Sequence, residues 1–207
     1  MVKVGIVTDR DIFGECMEQL AQQHLVLDLG GRHRFHKRLS AFREMLAGMH
    51  YYCLDVLPAP DLDVVGNLLR LPFAAEVAGG VICNSVLEHV YEPQWAVQEI
   101  YRVLKPGGIA FLYVPFLYPY HGSREEPDCY RFTRDGLLYM FRDFSEIQLQ
   151  PVDSFVGTAL RFLVGFTSLE RVALILADPL ERVVGWLRGR PLSRETQTSG
   201  YNIWVRK

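Results

Sequence analysis

The chain is short of paired cysteines, of surplus positive charge and of uninterrupted apolar runs. Its four cysteines, Cys16, Cys53, Cys83 and Cys129, lie far apart and form no CxxC pair. That argues against a zinc site and a disulfide framework, and it fits a reducing cytoplasm. Lys and Arg total 22 against 24 Asp and Glu, a formal net charge of −2. A non-specific nucleic-acid binder carries a basic surplus, so no nucleic-acid partner is expected. The sequence has no internal repeat and no low-complexity stretch. Asp9-Arg10-Asp11 follows a short apolar stretch at the start, which is not the layout of a secretion signal, so a cytoplasmic protein is expected. The longest apolar stretch, 155–187, is broken by Arg161, Glu170 and Arg171, and no transmembrane segment is expected.

What is present is an ordinary globular balance: 207 residues, 49% apolar and 22% charged, enough for one sizeable domain spanning 1–207. A leading helix over 11–23 precedes an alternation of apolar runs and helical patterns. Strands are expected at 25–30, 51–56, 63–66, 80–85 and 109–115, with helices near 36–48 and 93–104 between them. Apolar strands joined by helical crossovers imply a parallel sheet covered on both faces. Pro93 suits a first helical turn, and Lys105-Pro106-Gly107-Gly108 suits a helix end. Thr133 suits the cap of a helix over 134–142. Two late strands are expected at 146–152 and 201–206. Cys53 and Cys83 fall in apolar strand-like runs and are expected to be buried thiols.

The stretch LVLDLGGRHRF (25–35) reads as a strand entering a glycine turn. In an open parallel sheet, ligands sit at the carboxyl ends of strands, at the switch point. Gly30 stands at such an end, before a helix whose free N–H groups favour a negative group. Asp55 ends the second strand, placed to accept the hydroxyls of a ribose. Asn67 and Leu68 follow the third, placed to read the edge of an adenine. Arg32 and Phe35 break the dinucleotide pattern G-x-G-x-x-G, and His36-Lys37-Arg38 breaks the P-loop pattern. A ligand with a ribose, an adenine and a free amino-acid end fits better.

VLDLGG (26–31), LPF (71–73), VLEHV (86–90) and EIYRVLKPGG (99–108) together resemble the class I S-adenosylmethionine-dependent methyltransferases. YPYHGSREEPDCYRFT (118–133) resembles the H…P-D-x-x-R-F-T segment of a subset of that group. The resemblance covers about residues 25–145. It implies an α/β three-layer sandwich with a seven-stranded, mostly parallel sheet whose last strand is antiparallel. It also implies S-adenosyl-L-methionine across the ends of the first, second and fourth strands. On matching positions Asp28, Gly30 and Gly31 lie near the methionine part, Asp55 takes the ribose, Asn67 and Leu68 flank the adenine, and Asn84-Ser85 line the pocket near the sulfonium. Arg32 and Arg34 depart from a loop that is usually richer in glycine. Arg32 either blocks close backbone approach or clamps the methionine carboxylate. Asn67 stands where Asp is usual, which keeps an acceptor oxygen and loses the charge.

Methyl transfer from a sulfonium is an in-line displacement, for which the protein supplies alignment and a dry pocket. An oxygen acceptor also needs a base. His121 is the candidate, with Tyr120 beside it and Asp128 and Arg131 placed to orient it or the acceptor. The plainer reading makes Asp128–Arg131 an ion pair pinning the loop and gives His121 a role in loop order. His89 is read with Glu88 as fixing the loop after the fourth strand. His33 and His36 have no acid or cysteine to complete a set, so no metal is expected. The run RHRFHKR reads as a solvated helix face.

Residues 155–198 are expected as a helical insertion and connector before the last strand. The 155–187 part is apolar nearly all round, with a thin polar stripe through Arg161, Ser168, Arg171, Asp178 and Arg182, and such a surface must be covered. It serves as a lid, as a homodimer interface, as an apolar wall for a greasy acceptor or, least favoured, as a membrane contact. The expected activity is methyl transfer to a small molecule or saccharide, at oxygen. The alternatives are a reuse of the fold for another reaction, such as a cyclisation on bound cofactor, and a non-catalytic scaffold that has lost the cofactor.

Overall fold

Residues along Leu25–Leu29 alternate in the face they bury, as a strand covered on both sides must. Val26 packs in the cluster of Phe13, Met17 and Leu20. Leu27 and Leu29 pack on the other face with Ala96, Ile100 and Val103. A computed structural model of the chain describes residues 2–164, 170–189, 193–195 and 197–207. Among them eight strands form one sheet: β1 (Lys3–Ile6), β2 (Leu25–Leu29), β3 (His50–Asp55), β4 (Val64–Val65), β5 (Ala78–Asn84), β6 (Leu104–Pro115), β7 (Glu146–Pro151) and β8 (Gly200–Arg206). Their spatial order is β1-β7-β8-β6-β5-β2-β3-β4. β8 is antiparallel to β6 and β7, and the other pairs are parallel. Helix α1 (Ile12–Leu20) covers one face and α3 (Pro93–Val103) the other. The expected three-layer α/β fold with its antiparallel last strand is present, with eight strands instead of seven. The added β1 pairs with β7 at the sheet edge, where Lys3 and Glu146 form an ion pair at 3.0 Å.

Caps and breakers act where their chemistry puts them. The Asp11 carboxylate accepts the Phe13 N–H at the start of α1, and Thr133 Oγ1 accepts the Gly136 N–H at the start of α4 (Arg134–Met140). Pro93 opens α3. α3 ends at Val103, just before Lys105–Gly108 as expected, and those four residues lie inside β6 as a bulge, where pairing steps from Ala78↔Leu104 to Gly80↔Ile109. Cys53 and Cys83 are buried free thiols, as expected.

The helix expected over 36–48 is absent. A 3₁₀ segment, Lys37–Phe42, leads into a single turn, α2 (Arg43–Leu46). Positive φ at Gly30, Arg32 and Phe35 bends the chain before a regular helix can start. RHRFHKR is therefore no solvated helix face. Arg34 donates to Asp63 Oδ1 and to the Tyr51 carbonyl, both at 2.8 Å. The Arg38 guanidinium lies 3.9 Å from the Phe13 ring centre.

Between β7 and β8 stand α5 (Phe155–Val164) and α6 (Glu170–Leu187). Ser168 lies outside the described residues. Asp153 pairs with Arg161 at 2.9 Å, and Arg194 pairs with Asp178 at 2.8 Å. Ala177 is buried, but Ile175, Leu176, Val183, Trp186 and Leu187 are more than half exposed. The described chain itself leaves that side of α6 open. Among the described residues, no helix is long and apolar enough to cross a membrane.

Candidate active site

The chain leaves β2 for β3 on one side and returns through β5 on the other. The carboxyl ends of these three strands therefore open on a crevice, the place where such sheets bind ligands. A cavity of about 370 Å³ lies there, within the roughly 300–1,000 Å³ range of ligand sites. Asp28, Gly30, Gly31, Arg32, Asp55, Asn67, Leu68, Asn84 and Ser85 all line it.

Each wall residue has a local reason for its position. Gly30 has φ +75°, and a Cβ there would sit 2.4 Å from a Val86 methyl. A Cβ on Gly31 would meet Asp28 Oδ2 at 2.6 Å and Cys53 Sγ at 2.7 Å. Both positions are cradles that only glycine keeps open. Asp28, at the end of β2, is buried and accepts the Tyr51 O–H. Burial, with a smaller push from the Asp55 charge, raises its pKa to about 7 against the opposing Tyr51 hydrogen bond. Asp55 Oδ2 accepts the Arg32 N–H at 3.1 Å and Oδ1 the Leu57 N–H at 2.9 Å. Each oxygen keeps a second lone pair for a ligand hydroxyl. Asn67 Oδ1 turns back to accept the Leu69 N–H at 2.9 Å, so one lone pair remains for an adenine edge. Among the described residues Asn84 Oδ1 is buried with no partner. Ser85 is held at φ +59°. An orphaned acceptor and a strained backbone at one strand end mark a place built for a ligand.

The Arg32 side chain has a protein partner at the cavity wall. Its Nη1 lies 3.3 Å from Glu126 Oε1, so it joins the glycine turn to the loop after β6. Both partners line the cavity.

That loop carries the other predicted residues, and none of His121, Tyr120, Asp128 and Arg131 lines the cavity. Tyr120 is exposed. Asp128 and Arg131 are paired and turned inward. Arg131 Nη2 donates to Asp128 Oδ2 at 2.6 Å, and its guanidinium also reaches the carbonyls of Tyr118, Pro119 and Tyr130. The Arg131 guanidinium holds the Asp128 carboxyl down at about 2. Asp128 Oδ2 accepts the His121 N–H at 2.9 Å and lies 3.3 Å from His121 Nδ1. These two residues shape the loop and orient His121.

Sequence reading missed what His121 faces. Its Nε2 lies 3.7 Å from Glu88 Oε1, and His89 Nε2 lies 3.9 Å from the same oxygen. The Glu88 carboxylate, seconded by the Pro119 carbonyl and Asp128, raises the His121 pKa against burial. The available signal was the pair of histidines in two loops that both leave the same crevice, after β5 and after β6. His89 belongs to the cavity wall and to this group together. The Glu88 carbonyl also accepts the Cys129 N–H at 2.8 Å, and His89 Nδ1 lies 2.8 Å from the Pro127 carbonyl. Glu88 and His89 thus tie down the loop after β5, the role expected of them.

Residues 33–112 match the family described as Methyltransferase domain. No curated protein matches the chain. Among solved structures, a SAM dependent methyltransferase from Archaeoglobus fulgidus superposes with a TM-score of 0.59 at 14% identity, over 94% of this chain and 90% of that one. A 1,6-didemethyltoxoflavin-N1-methyltransferase from Burkholderia thailandensis, solved with 1,6-didemethyltoxoflavin and S-adenosylhomocysteine, gives 0.54 at 15% identity, over 94% and 75%. The [4+2]-cyclase SpnF gives 0.52 at 14% identity, over 100% and 88%. At these identities the superpositions speak for the fold. The family match adds a likeness to a methyltransferase domain over residues 33–112, under half of the chain. The glycine cradles and the orphaned Asn84 oxygen fit a cofactor of the S-adenosylmethionine kind, and S-adenosylhomocysteine is bound in the Burkholderia thailandensis structure.

Proposed function

We propose that the protein methylates an oxygen of a small molecule or a saccharide. The observation that carries this reading is the cavity, whose wall passes at His89 into the Glu88–His89–His121 group. The bound cofactor supplies an activated methyl group; the chain supplies seating, orientation and a path for the acceptor's proton. In this reading Asp28, Gly30, Gly31 and Arg32 seat the methionine end, Asp55 holds the ribose, Asn67 and Leu68 flank the adenine, and Asn84 and Ser85 lie beside the sulfonium. His121 serves deprotonation of the acceptor, Tyr120 contacts the acceptor, and Asp128 and Arg131 are positioning residues for His121. The scaffold alternative rested on Arg32 and Arg34, and both guanidiniums have partners in Glu126 and Asp63 that account for their presence.

Calorimetric titration with S-adenosylhomocysteine tests the seat without knowledge of the acceptor. Micromolar binding is expected. Asp55→Ala is expected to weaken it by roughly 10- to 100-fold, the loss of a charged acceptor worth about 1.5–3 kcal/mol. Full affinity in Asp55→Ala would remove the ribose assignment, and no binding by a folded wild type would return the scaffold reading.

The open side of α6 fits a second copy of the chain, giving a homodimer through 155–187. The single-domain reading of 1–207 and a cytoplasmic setting fit the continuous sheet and the four free cysteines. Light scattering is expected to give a dimer that Val183→Glu with Trp186→Glu converts to a monomer. A monomeric wild type at tens of micromolar would exclude the interface.

A further inference from the structure

We propose that Glu88, His89 and His121 form a binding site for a divalent transition-metal ion, coordinated by the Glu88 carboxylate and the Nε2 atoms of both histidines. One ligand atom from each lies within 4.8 Å of the others. Ligands about 2.1 Å from a tetrahedral ion stand about 3.4 Å apart, so the 3.7 and 3.9 Å separations need only a small contraction.

The hydrogen bonds behind the rings decide which nitrogen faces the ion. His89 Nδ1 lies 2.8 Å from the Pro127 carbonyl, which only accepts, so Nδ1 carries the hydrogen and Nε2 the lone pair. His121 Nδ1 faces the Pro119 carbonyl at 3.2 Å and Asp128 Oδ2 at 3.3 Å, again acceptors only. When neutral, both rings turn a lone pair toward Glu88 Oε1, an arrangement that repels unless a proton or a metal ion stands between them. The Asp128 carboxylate behind His121, itself clamped by Arg131, is the second layer that metal-bound histidines commonly have.

The carboxylate supplies an independent indication. Glu88 is 1% exposed, and its Oε2 is buried without a hydrogen-bond partner among the described residues. A buried anion with an idle oxygen is costly unless something positive compensates it. Two imidazoles and one carboxylate suit zinc, iron(II) or manganese, and three protein ligands leave positions open. The histidine side chains keep 20% and 26% exposure, so an ion can enter. The site lies apart from His33 and His36, the pair whose spacing alone carried no metal. The use of the ion rests on the proposed methyl transfer: His121 would then serve deprotonation as a ligand, and a hydroxyl bound to the ion would lose its proton more readily.

The test is metal analysis of the purified full chain, stripped with chelator and dialysed separately against zinc and manganese. About one ion per chain is expected for at least one metal. Affinity is expected to fall about 100-fold or more in His89→Ala, His121→Ala and Glu88→Gln, and to hold in His33→Ala. Circular dichroism of the same proteins serves as the folding control, and S-adenosylhomocysteine titration of the wild type tests the cofactor seat. S-adenosylhomocysteine binding without metal binding would overturn this inference and leave the methyltransferase reading standing. Metal binding without cofactor binding would do the reverse. Metal uptake unchanged in all three ligand variants would also overturn it.

Discussion

Gly30→Ala is expected to lower the unfolding free energy by roughly 2–5 kcal/mol, the sum of about 1–2 for a left-handed alanine and about 1–3 for overpacking. For a chain of this length that is a fall in the thermal midpoint of roughly 4–20 °C. The reason is double. The backbone is at φ +75°, and a Cβ would be driven to 2.4 and 2.7 Å from the two Val86 methyls. Val86 cannot retreat easily, because it begins the turn whose Leu87 and Glu88 are buried. Two other glycines separate the contributions. Gly107 has φ +76°, and a Cβ there would meet nothing within 4 Å, so Gly107→Ala is expected to show the backbone part alone. Gly48 has neither a positive φ nor a neighbour, and Gly48→Ala is expected to be neutral or slightly stabilising. Thermal unfolding of the three proteins ranks them directly. If Gly30→Ala is no worse than Gly107→Ala, Val86 does not set the size of the turn.

The same residues show how far sequence alone reaches. The central sheet was legible because β2, β5 and β6 are apolar enough to be buried on both faces, and Pro93 and Thr133 punctuate helices by chemistry that needs no partner. β1 was not, because four residues around Gly5 acquire a strand's character only by pairing with β7, far along the chain. The missing helix near 36–48 has the same origin in reverse. Its periodicity was adequate, but Arg34 and Arg38 gain partners on β3, on the loop after it, on α1 and on β8 by leaving the helix, and those partners are invisible locally.

For the site, strand-end position collected Gly30, Asp55, Asn67 and Leu68, and the family resemblance added Asp28, Gly31, Arg32, Asn84 and Ser85; all nine line the cavity. Side-chain direction was not legible. Asp128 and Arg131 are polar residues in a loop beside the crevice, and only the fold shows them turned onto Tyr118, Pro119 and His121. The approach of His121 to Glu88 depends on two loops meeting across β5 and β6, which no spacing within either loop encodes.

Asp28→Asn is expected to remove a pH dependence that the wild type carries between about pH 4 and about pH 7. An unfolded aspartate loses its proton near about 3.9, whereas burial holds the folded Asp28 proton up to about 7. The native state thus binds more protons than the unfolded state within that window, and stability must fall as pH rises through it. The contribution is fully present below about pH 4 and gone above about pH 7. A gap of about three pH units, at roughly 1.4 kcal/mol for each, puts its size at about 4 kcal/mol. Asparagine keeps an oxygen for the Tyr51 O–H and has nothing to ionise, so denaturant unfolding from about pH 4 to about pH 8 is expected to show the wild type losing stability relative to the variant. Parallel curves would mean that Asp28 ionises freely in the folded chain. The same carboxyl links the seat to its ligand. If the cofactor's ammonium lies near Asp28, binding must expel the proton that burial retained. Titration with S-adenosylmethionine at about pH 6.5, in phosphate and in Tris, is then expected to give heats that differ by the buffers' ionisation enthalpies, and Asp28→Asn is expected to abolish that difference. Equal heats for the wild type in both buffers would place the ammonium away from the end of β2.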